Sequence, residues 1–518
     1  TSIKMFLRHS TLEDFWTPMM VYQLTCSLLW ISSIWHAWLN FRQYLVLATN
    51  VIPPVQLRSM LDTVYFERAR AYRFDLARVA LIQTIVSHLS TIAILHWELG
   101  PKLWDVCQLC VDYTEYKGDR EYPVSAVFVF VVMTLSNVLS LPWDIYTSLC
   151  LDAKHEISRH TEPISCYLRR RAISMFLTQV AQVFMLLGAV YIVKQLGPIS
   201  WLLYWILRCT LNILYEAFYM TYFAPYFQNV YRLPYSELRV AIEELAASIG
   251  FPLAELYVFE VSSYTTISNA HIAGALYEKY VILFDTLFAD ELVPHGDSTS
   301  EWENSSSMYM PMDNGRLSEG APYRPRSLVM RRRFPDEEVL AIVCHEMGHW
   351  KMWHVVKLFI LTELERALNY SLAAYLYQNP TIFRAFGFPF CMPTLIGILL
   401  TTSIILAPLN IIAAFLKTCY KRKCETDADK FVYSMQQGPY MERAVITMNM
   451  DSLNFPLSDP LYSWWFDSHP PLPRRIEILR GDFSGRSGLS RCHLTAGRTL
   501  PPSSYPRRML HERSYDWT

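Results

Sequence analysis

The chain has 518 residues, more than one compact core usually accommodates, and its formal net charge is -1. Since it has no basic excess to neutralise phosphates, this composition argues against a nucleic-acid binder. Only 18% of the residues are charged and 52% are hydrophobic, whereas a soluble protein carries about a quarter charged residues, so the composition predicts several lipid-facing segments.

Apolar runs long enough to cross a bilayer, about 20 residues, occur at seven places. They lie at 21–39, 79–97, 124–141, 172–196, 199–223, 355–377 and 392–416. Soluble chains rarely contain seven such runs, although one or two of them could be core helices of a large soluble enzyme. The sequence therefore predicts a mainly α-helical, multi-pass membrane protein with seven transmembrane helices.

Positive charges in the loops indicate the side of the membrane that each loop faces. The first loop contains six arginines between Arg42 and Arg78, and the third contains Lys154 and four arginines, whereas the second has few basic residues among several acids. By the positive-inside rule the first and third loops are cytosolic, as are the long segment after the fifth run and the C-terminus. Charges inside the runs, such as Glu363 and Arg366, then indicate a wet, protein-lined cavity.

The segment from Asp336 to Trp350 has the pattern of a metal-binding helix. Three acids open it, which suits the positive end of the helix dipole. His345 and His349 are four residues apart, so both imidazoles project from one face and can bind one cation. Glu346 follows the first histidine, beside the open coordination position, where a carboxylate can accept a proton from water.

A metal site of this kind needs a third ligand. His354 lies five residues beyond His349, which on a continuous helix turns it roughly 140° away, and we discount it. Glu425, directly after the seventh run, is the better candidate, with Asp429 one turn on to accept a hydrogen bond from a ligating histidine. The alternative is that Glu425 belongs to a solvated acidic turn after residues 421–423. This interpretation is weaker, because the helix with the His345-Glu346-x-x-His349 pattern (HExxH) lies at the same membrane face.

His469 stands before two prolines and therefore cannot lie in the middle of a helix. A histidine held in this way suits a rigid loop that reaches toward an oxyanion. A surface histidine without a function explains the pattern equally well.

Several short motifs resemble, in their order and spacing, those of the type-I CAAX prenyl endopeptidases, which are multi-pass zinc proteases of the endoplasmic reticulum and nuclear envelope. The similarity extends from about residue 15 to 480. The motifs are Leu141-Pro142-Trp143, residues 248–253, Ser268-Asn269-Ala270, residues 282–287, the HExxH helix, residues 393–397, residues 425–429 and residues 468–471.

The resemblance implies a fold, a reaction and a location. Seven helices would surround a water-filled chamber, closed on its cytosolic side by a gluzincin-like zinc protease domain with a small β element. The enzyme would use one Zn²⁺ per chain to remove the C-terminal aaX tripeptide after a prenylated cysteine. Its partners would be prenylated CAAX-protein C-termini and membrane lipid, with no nucleic acid, in the endoplasmic reticulum membrane and also the inner nuclear membrane.

The resemblance also assigns roles to individual residues. The zinc ligands are His345, His349 and Glu425, the base is Glu346, the substrate or oxyanion ligands are Asn269 and His469, and the supporting residues around the ligands are Asp429 and Arg475. Arg475 would pair with Asp429 or with a substrate carboxylate. Strands at about 256–261 and 280–284 would receive the substrate as an added strand.

This chain departs from the family pattern at three positions, Cys344, Ile267 and Asp467. None of them removes a ligand, but a Cys344 thiolate beside the metal would compete with the ligands. Two other functions stay open. One is a membrane quality-control metalloprotease, and the other is an inactive membrane scaffold, which would have no need of Glu346.

These assignments divide the chain into five parts. Residues 1–223 form a membrane region with five helices, and 224–354 form a cytosolic protease part that contains a disordered insertion at about 295–333. Residues 355–416 add two membrane helices, 417–480 complete the protease domain, and 481–518 form a disordered tail.

Overall fold

The structure is a computed structural model that describes part of the chain. The described residues are 16–54, 57–114, 116–157, 164–218, 229–262, 265–274, 278–290, 330–331 and 334–484. The predicted tail lies outside them from residue 485 onward. Within the predicted insertion only Met330–Arg331 is described, and it forms a short strand that pairs with Ala289–Asp290. Residues 295–329 and 332–333 lie outside the described residues, so the expectation for the insertion stays a prediction.

Long helices form the first half of the described chain. They are α1 (Pro18–Thr49), α2 (Thr63–His96), α3 (Leu99–Asp112), α4 (Glu121–Ile145), α5 (Ile164–Leu196) and α6 (Ser200–Phe218). Side chains set two of the starts, since Thr17 accepts from the Met20 N–H and Asp62 accepts from the Val64 N–H. A π-helical turn and a last helical turn extend α4 to Lys154.

Three described helices are long and apolar enough to cross a membrane, Thr63–His96, Glu121–Lys154 and Tyr167–Leu196. The second, third and fourth predicted spans fall in these helices. A fourth crossing is added if the bent pair Thr394–Ile405 and Ala407–Ser434 forms one span. Helices also occur at the first, fifth and sixth predicted spans, but they do not pass the same test, so the number seven and the chamber stay predictions.

The second half of the described chain mixes a small sheet with shorter helices. The strands are β1 (Val230–Arg232), β2 (Leu253–Phe259), β3 (Ala270–Ala273), β4 (Lys279–Phe284), β5 (Ala289–Asp290) and β6 (Met330–Arg331). The helices are α7 (Glu237–Ile249), α8 (Asp336–Lys351), α9 (His354–Leu376), α10 (Pro380–Ala385), α11 (Thr394–Leu399), α12 (Ala407–Ser434), α13 (Gly438–Asp451), α14 (Pro460–Phe466) and α15 (Leu472–Leu479).

The four-stranded sheet has the order β1-β2-β4-β3. Strands β2 and β4 pair in parallel, β1 lies antiparallel outside β2, and β3 lies antiparallel outside β4. Residues 256–259 and 280–284 therefore lie in interior strands, whose outer edges are paired at 257–259 with β1 and at 280–283 with β3. The prediction that they receive an added strand is wrong, and β3 is the edge strand beside β4.

The largest hydrophobic core joins the predicted cytosolic loops to the protease part. Leu57, Phe66 and Ala69 from the first loop and α2, with Ile157 after α4, pack in one cluster with the sheet, α7, α8 and α13. Tyr65 strengthens this junction because its hydroxyl donates to the Asn449 carbonyl at 3.1 Å. The first and third loops therefore lie on the same side of the protein as α8.

The seventh predicted span is broken. Helix α11 runs into a π-helical segment, Leu400–Ile405, and α12 starts after a bend of 54°. Pro408 sits in the first turn of α12, where its missing N–H costs nothing. The apolar run at 392–416 is therefore bent, its crossing of the membrane stays a prediction, and α12 continues well beyond it to Ser434.

Gly397 allows α11 to approach the end of α9, which gives a test of this packing. A Cβ at Gly397 would meet the Tyr377 carbonyl oxygen inside van der Waals contact and the Phe383 ring at 3.0 Å. We expect Gly397→Ala to lower the free energy of unfolding by about 1–3 kcal/mol, the usual cost of overpacking, and to lower the thermal unfolding midpoint in detergent. Gly188→Ala is the matched control, since a Cβ there meets nothing within 4 Å. Equal midpoints for the two variants would contradict the packing.

Candidate metal centre

Helix α8 carries the two histidines and is buried on nearly every side. Its first turn contains Asp336, Glu337 and Glu338, which favour the helix N-terminus. Gly348 lets α12 approach, because a Cβ there would lie 2.9 Å from the Phe431 ring. The absence of a side chain at this position therefore brings the helix of the histidines against the helix of Glu425.

Three donor groups converge where α8 meets α12. One ligand atom from each of His345, His349 and Glu425 lies within 4.8 Å of the others. The two Nε2 atoms of the histidines are 3.1 Å apart. Glu425 Oε2 lies 3.3 Å from His345 Nε2, and Oε1 lies 3.5 Å from His349 Nε2.

This donor set fits a zinc ion. Two imidazoles that turn the same nitrogen toward one point, with a carboxylate beside them, give the two-histidine, one-glutamate set of catalytic zinc sites, which leaves a fourth position open. The Glu425 Oε2 atom is buried and faces imidazole nitrogens of His345 at 3.3 Å and His469 at 2.9 Å without a well-directed hydrogen bond, and a buried carboxylate oxygen favours a directed partner. A cation between the three side chains would supply it.

Asp429 supports His345 from the side opposite the donor group. It is fully buried one turn after Glu425, and its Oδ1 lies 3.0 Å from His345 Nδ1. The Arg475 guanidinium donates to both Asp429 oxygens at 2.8 Å. A bidentate guanidinium pair of this kind fixes the carboxylate, and the carboxylate in turn orients the imidazole.

His354 contacts the second histidine, His349, on the side away from the donor group, as Asp429 contacts His345. The sequence did not predict this contact. Helix α8 ends at Lys351, and Trp353 has a φ of +59°, so His354 starts a new helix. The turn brings the buried His354 back, with its Nδ1 3.1 Å from His349 Nδ1. The assumption of one continuous helix was wrong, although His354 is outside the group of donors around the metal position.

The surroundings of the two histidines shift their pKa values in opposite directions. Burial lowers the pKa of His345, but the Asp429 and Glu425 carboxylates outweigh burial and raise it to about 9. Burial and the charge of His345 together lower the pKa of His349 to about 4. In the absence of metal, one proton therefore stays on His345 at neutral pH while His349 is neutral.

Glu346 is a partly buried carboxyl beside the donor group. Burial raises its pKa to about 7, and the charge of Glu425 acts in the same direction, while His345 opposes the rise. A carboxyl whose pKa lies near the working pH suits a general base, because it can accept a proton and return it.

His469 and Asn269, the two predicted substrate ligands, differ in their relation to the centre. The exposed His469 side chain lies with its Nδ1 2.9 Å from Glu425 Oε2. Asn269 is exposed at the start of β3, the strand that lies against α8, and its Oδ1 accepts from the Ala270 N–H. The structure thus brings His469 beside Glu425 of the donor group and puts Asn269 at the sheet edge.

The three departures from the family pattern leave the donor group intact. Cys344 is outside the group of donors, and burial raises the pKa of its thiol to about 12, which disfavours the expected competition by a thiolate. Ile267 accepts from the Thr286 hydroxyl through its carbonyl, and the carbonyl of Asp467 accepts from Arg422 at 3.3 Å. Both positions therefore have structural contacts.

Comparison with known proteins gives consistent matches along the chain. The family model described as CAAX prenyl protease N-terminal, five membrane helices, matches residues 43–229, and that of peptidase family M48 matches residues 233–482. The CAAX prenyl protease 1 homologs of Mus musculus and Homo sapiens are each 30% identical over 453 residues, which cover 87% of this chain and 93% of the relative. The crystal structure of S. mikatae Ste24p has a similar fold, with a TM-score of 0.72 and 22% identity over 89% of this chain and 98% of Ste24p.

The contact between His354 and His349 predicts an effect on metal affinity. Loss of a residue that orients a ligand typically weakens metal binding by about 10–100-fold. We expect His354→Ala to raise the zinc Kd by this factor and to leave one zinc bound at saturation, whereas His345→Ala abolishes binding. Competition with a chelator measures the Kd and elemental analysis the stoichiometry. An unchanged Kd in His354→Ala would contradict the role.

The proton on His345 predicts a pH dependence of zinc binding. Because a ligating histidine must be neutral, zinc displaces this proton at any pH below about 9. We expect the zinc affinity of the metal-free protein to rise by about tenfold per pH unit between pH 7 and 8, and to level off near pH 9. Titration calorimetry in two buffers of different ionisation enthalpy would detect the released proton. Affinity that stays constant over this range would contradict the assignment.

Proposed function

Because the chain belongs to peptidase family M48, in the branch of the membrane CAAX prenyl proteases, we propose that it removes the aaX tripeptide from prenylated CAAX proteins by means of a zinc ion. It is a CAAX-processing metalloendopeptidase. The proposal concerns the bond that is cleaved, the identity of the metal and the residues that act. The observation that carries it is the convergence of His345, His349 and Glu425 beside Glu346.

Each residue of the centre would have a distinct task. His345, His349 and Glu425 would hold the ion, which when bound lowers the pKa of water and polarises a carbonyl. Glu346 would accept the proton of the attacking water and return it to the leaving amine. His469 would donate to the carbonyl oxygen as negative charge develops on it. Its exposed side chain and its position beside Glu425 support this task.

The edge of the sheet would hold the peptide. Among the described residues, strand β3 pairs with β4 on one side and with no strand on the other, and it lies against α8. An extended substrate would add to this edge through main-chain hydrogen bonds, and Asn269 at its start would bind the peptide backbone. Strand β3 thus replaces the interior strands as the proposed acceptor.

We further propose that the centre opens to the cytosol from the endoplasmic reticulum membrane, with 224–354 and 417–480 as the protease parts and the other divisions as predicted. Two observations support the cytosolic side of the membrane. The first loop, which the positive-inside rule makes cytosolic, packs into the core around α8. Arg73 at this side also donates to the Leu453 carbonyl at 3.3 Å.

A pair of peptides tests the proposed reaction. Zinc-loaded protein in lipid nanodiscs would receive a farnesylated C-a-a-X peptide and its unprenylated twin, with release of the tripeptide followed by mass spectrometry. We expect cleavage of the farnesylated peptide alone. Glu346→Gln should lower kcat by about 10²–10⁴-fold, the usual contribution of a general base, with one zinc still bound.

The other functions give different outcomes in the same assay. Equal cleavage of both peptides would favour a quality-control protease, and the absence of cleavage with zinc bound would favour a scaffold. Glu337→Gln is the matched control for Glu346→Gln, because Glu337 lies in the first turn of α8, nine residues before Glu346, and should leave kcat unchanged.

A further inference from the structure

The loop that carries His469 lies between two short helices, and each of them is held from outside. Helix α14 ends at Phe466 and α15 starts at Leu472. On the α15 side, Arg475 forms the bidentate pair with the buried Asp429. The His469 side chain itself is 62% exposed, so its own packing cannot fix it, and its position depends on the two helices.

On the α14 side, helix α1 supplies the support. The Arg42 guanidinium donates to both oxygens of Asp459, at 3.1 Å from Nε to Oδ1 and 2.8 Å from Nη2 to Oδ2. The Gln43 side-chain oxygen accepts from the Asp459 N–H at 2.8 Å. The Trp465 indole N–H donates to His36 Nε2 at 3.0 Å. We call this set, His36, Arg42 and Gln43 of α1 against Asp459 and Trp465, the α1 anchor.

Asp459 is the central residue of the α1 anchor. Its side chain is only 7% exposed, and a buried carboxylate without a paired charge is costly. It also accepts from the Leu461 and Tyr462 N–H groups at 3.1 Å, which makes it the N-cap of α14. One carboxylate therefore both starts α14 and ties it to α1, ten residues before His469.

The second face of α14 is held by α12. Arg422 donates to the Ser463 carbonyl at 2.6 Å, and its guanidinium lies 4.9 Å from the centre of the Trp464 ring. Trp465 stacks on Phe415 with ring centres 4.7 Å apart. Helix α14 is thus held between α1 and α12. Because α12 also carries Glu425, the position of α14 is fixed relative to the donor group.

From these contacts we infer that Arg42 and Asp459 are positioning residues for catalysis, through which helix α1 sets the place of His469 beside Glu425. This inference rests on the proposed role of His469. Loss of the α1 anchor frees α14 and lets His469 move away from the reacting carbonyl. Since a misplacement of about 1 Å can cost on the order of 100-fold in rate, the effect falls on kcat more than on KM.

The test compares five forms of the zinc-loaded protein: wild type, Arg42→Gln, Arg42→Lys, His469→Ala, and the double variant of Arg42→Gln with His469→Ala. We expect Arg42→Gln to lower kcat by at least about tenfold and Arg42→Lys to recover part of it. In the His469→Ala background, Arg42→Gln should cause no further loss, because both changes remove the same contribution. Effects that multiply in the double variant would overturn the inference.

Hydrogen exchange separates the anchor from the role of His469. Arg42→Gln should raise deuterium uptake in residues 459–469, whereas Arg68→Gln, which removes an ion pair with the exposed Glu156, should not. Asp459→Asn keeps an N-cap but loses the charge pair, and it should behave like Arg42→Gln. Unchanged uptake in 459–469 would overturn the anchor. Raised uptake together with an active His469→Ala variant would instead overturn the proposed role of His469.

Discussion

The buried Asp429 carboxylate is the constraint around which the metal centre is arranged. With no exposure to solvent, its charge has to be met by protein groups. Arg475 meets it through two hydrogen bonds and His345 Nδ1 lies 3.0 Å away. The same carboxylate holds α15 against α12 and turns His345 Nε2 toward Glu425. Fold and chemistry therefore share one ion pair, and neither can be altered without the other.

Helix α12 connects this constraint to the membrane. It starts at the 54° bend, presents Phe415 to Trp465, and continues to Arg422, Glu425 and Asp429. Along one rigid helix these residues keep fixed distances, about 1.5 Å per residue. The metal position is therefore tied to the apolar segment that precedes it. The core that includes Leu57 and Phe66 adds a second tie from the membrane region.

The family and the reaction class predicted from the motifs are confirmed, and the reason is local geometry. Residues four apart on a helix share a face, so His345 with His349 and Glu425 with Asp429 could be recognised as pairs. His354 could not be placed in this way, because the left-handed Trp353 ends one helix and starts another. The break of the seventh span and the order of the strands also depend on tertiary contacts that no local period encodes.

The α1 anchor illustrates the part of a site that sequence patterns do not reveal. Arg42 and Asp459 are 417 positions apart, and an arginine after an apolar run is explained fully by the positive-inside rule. Only the buried position of Asp459 shows that the charge has a second use. For His469, the sequence supports two interpretations equally well, a surface residue without a function and a ligand of the oxyanion. The contacts on both sides of its loop favour the ligand, since an exposed histidine without a task would not need two clamped helices to hold it beside Glu425.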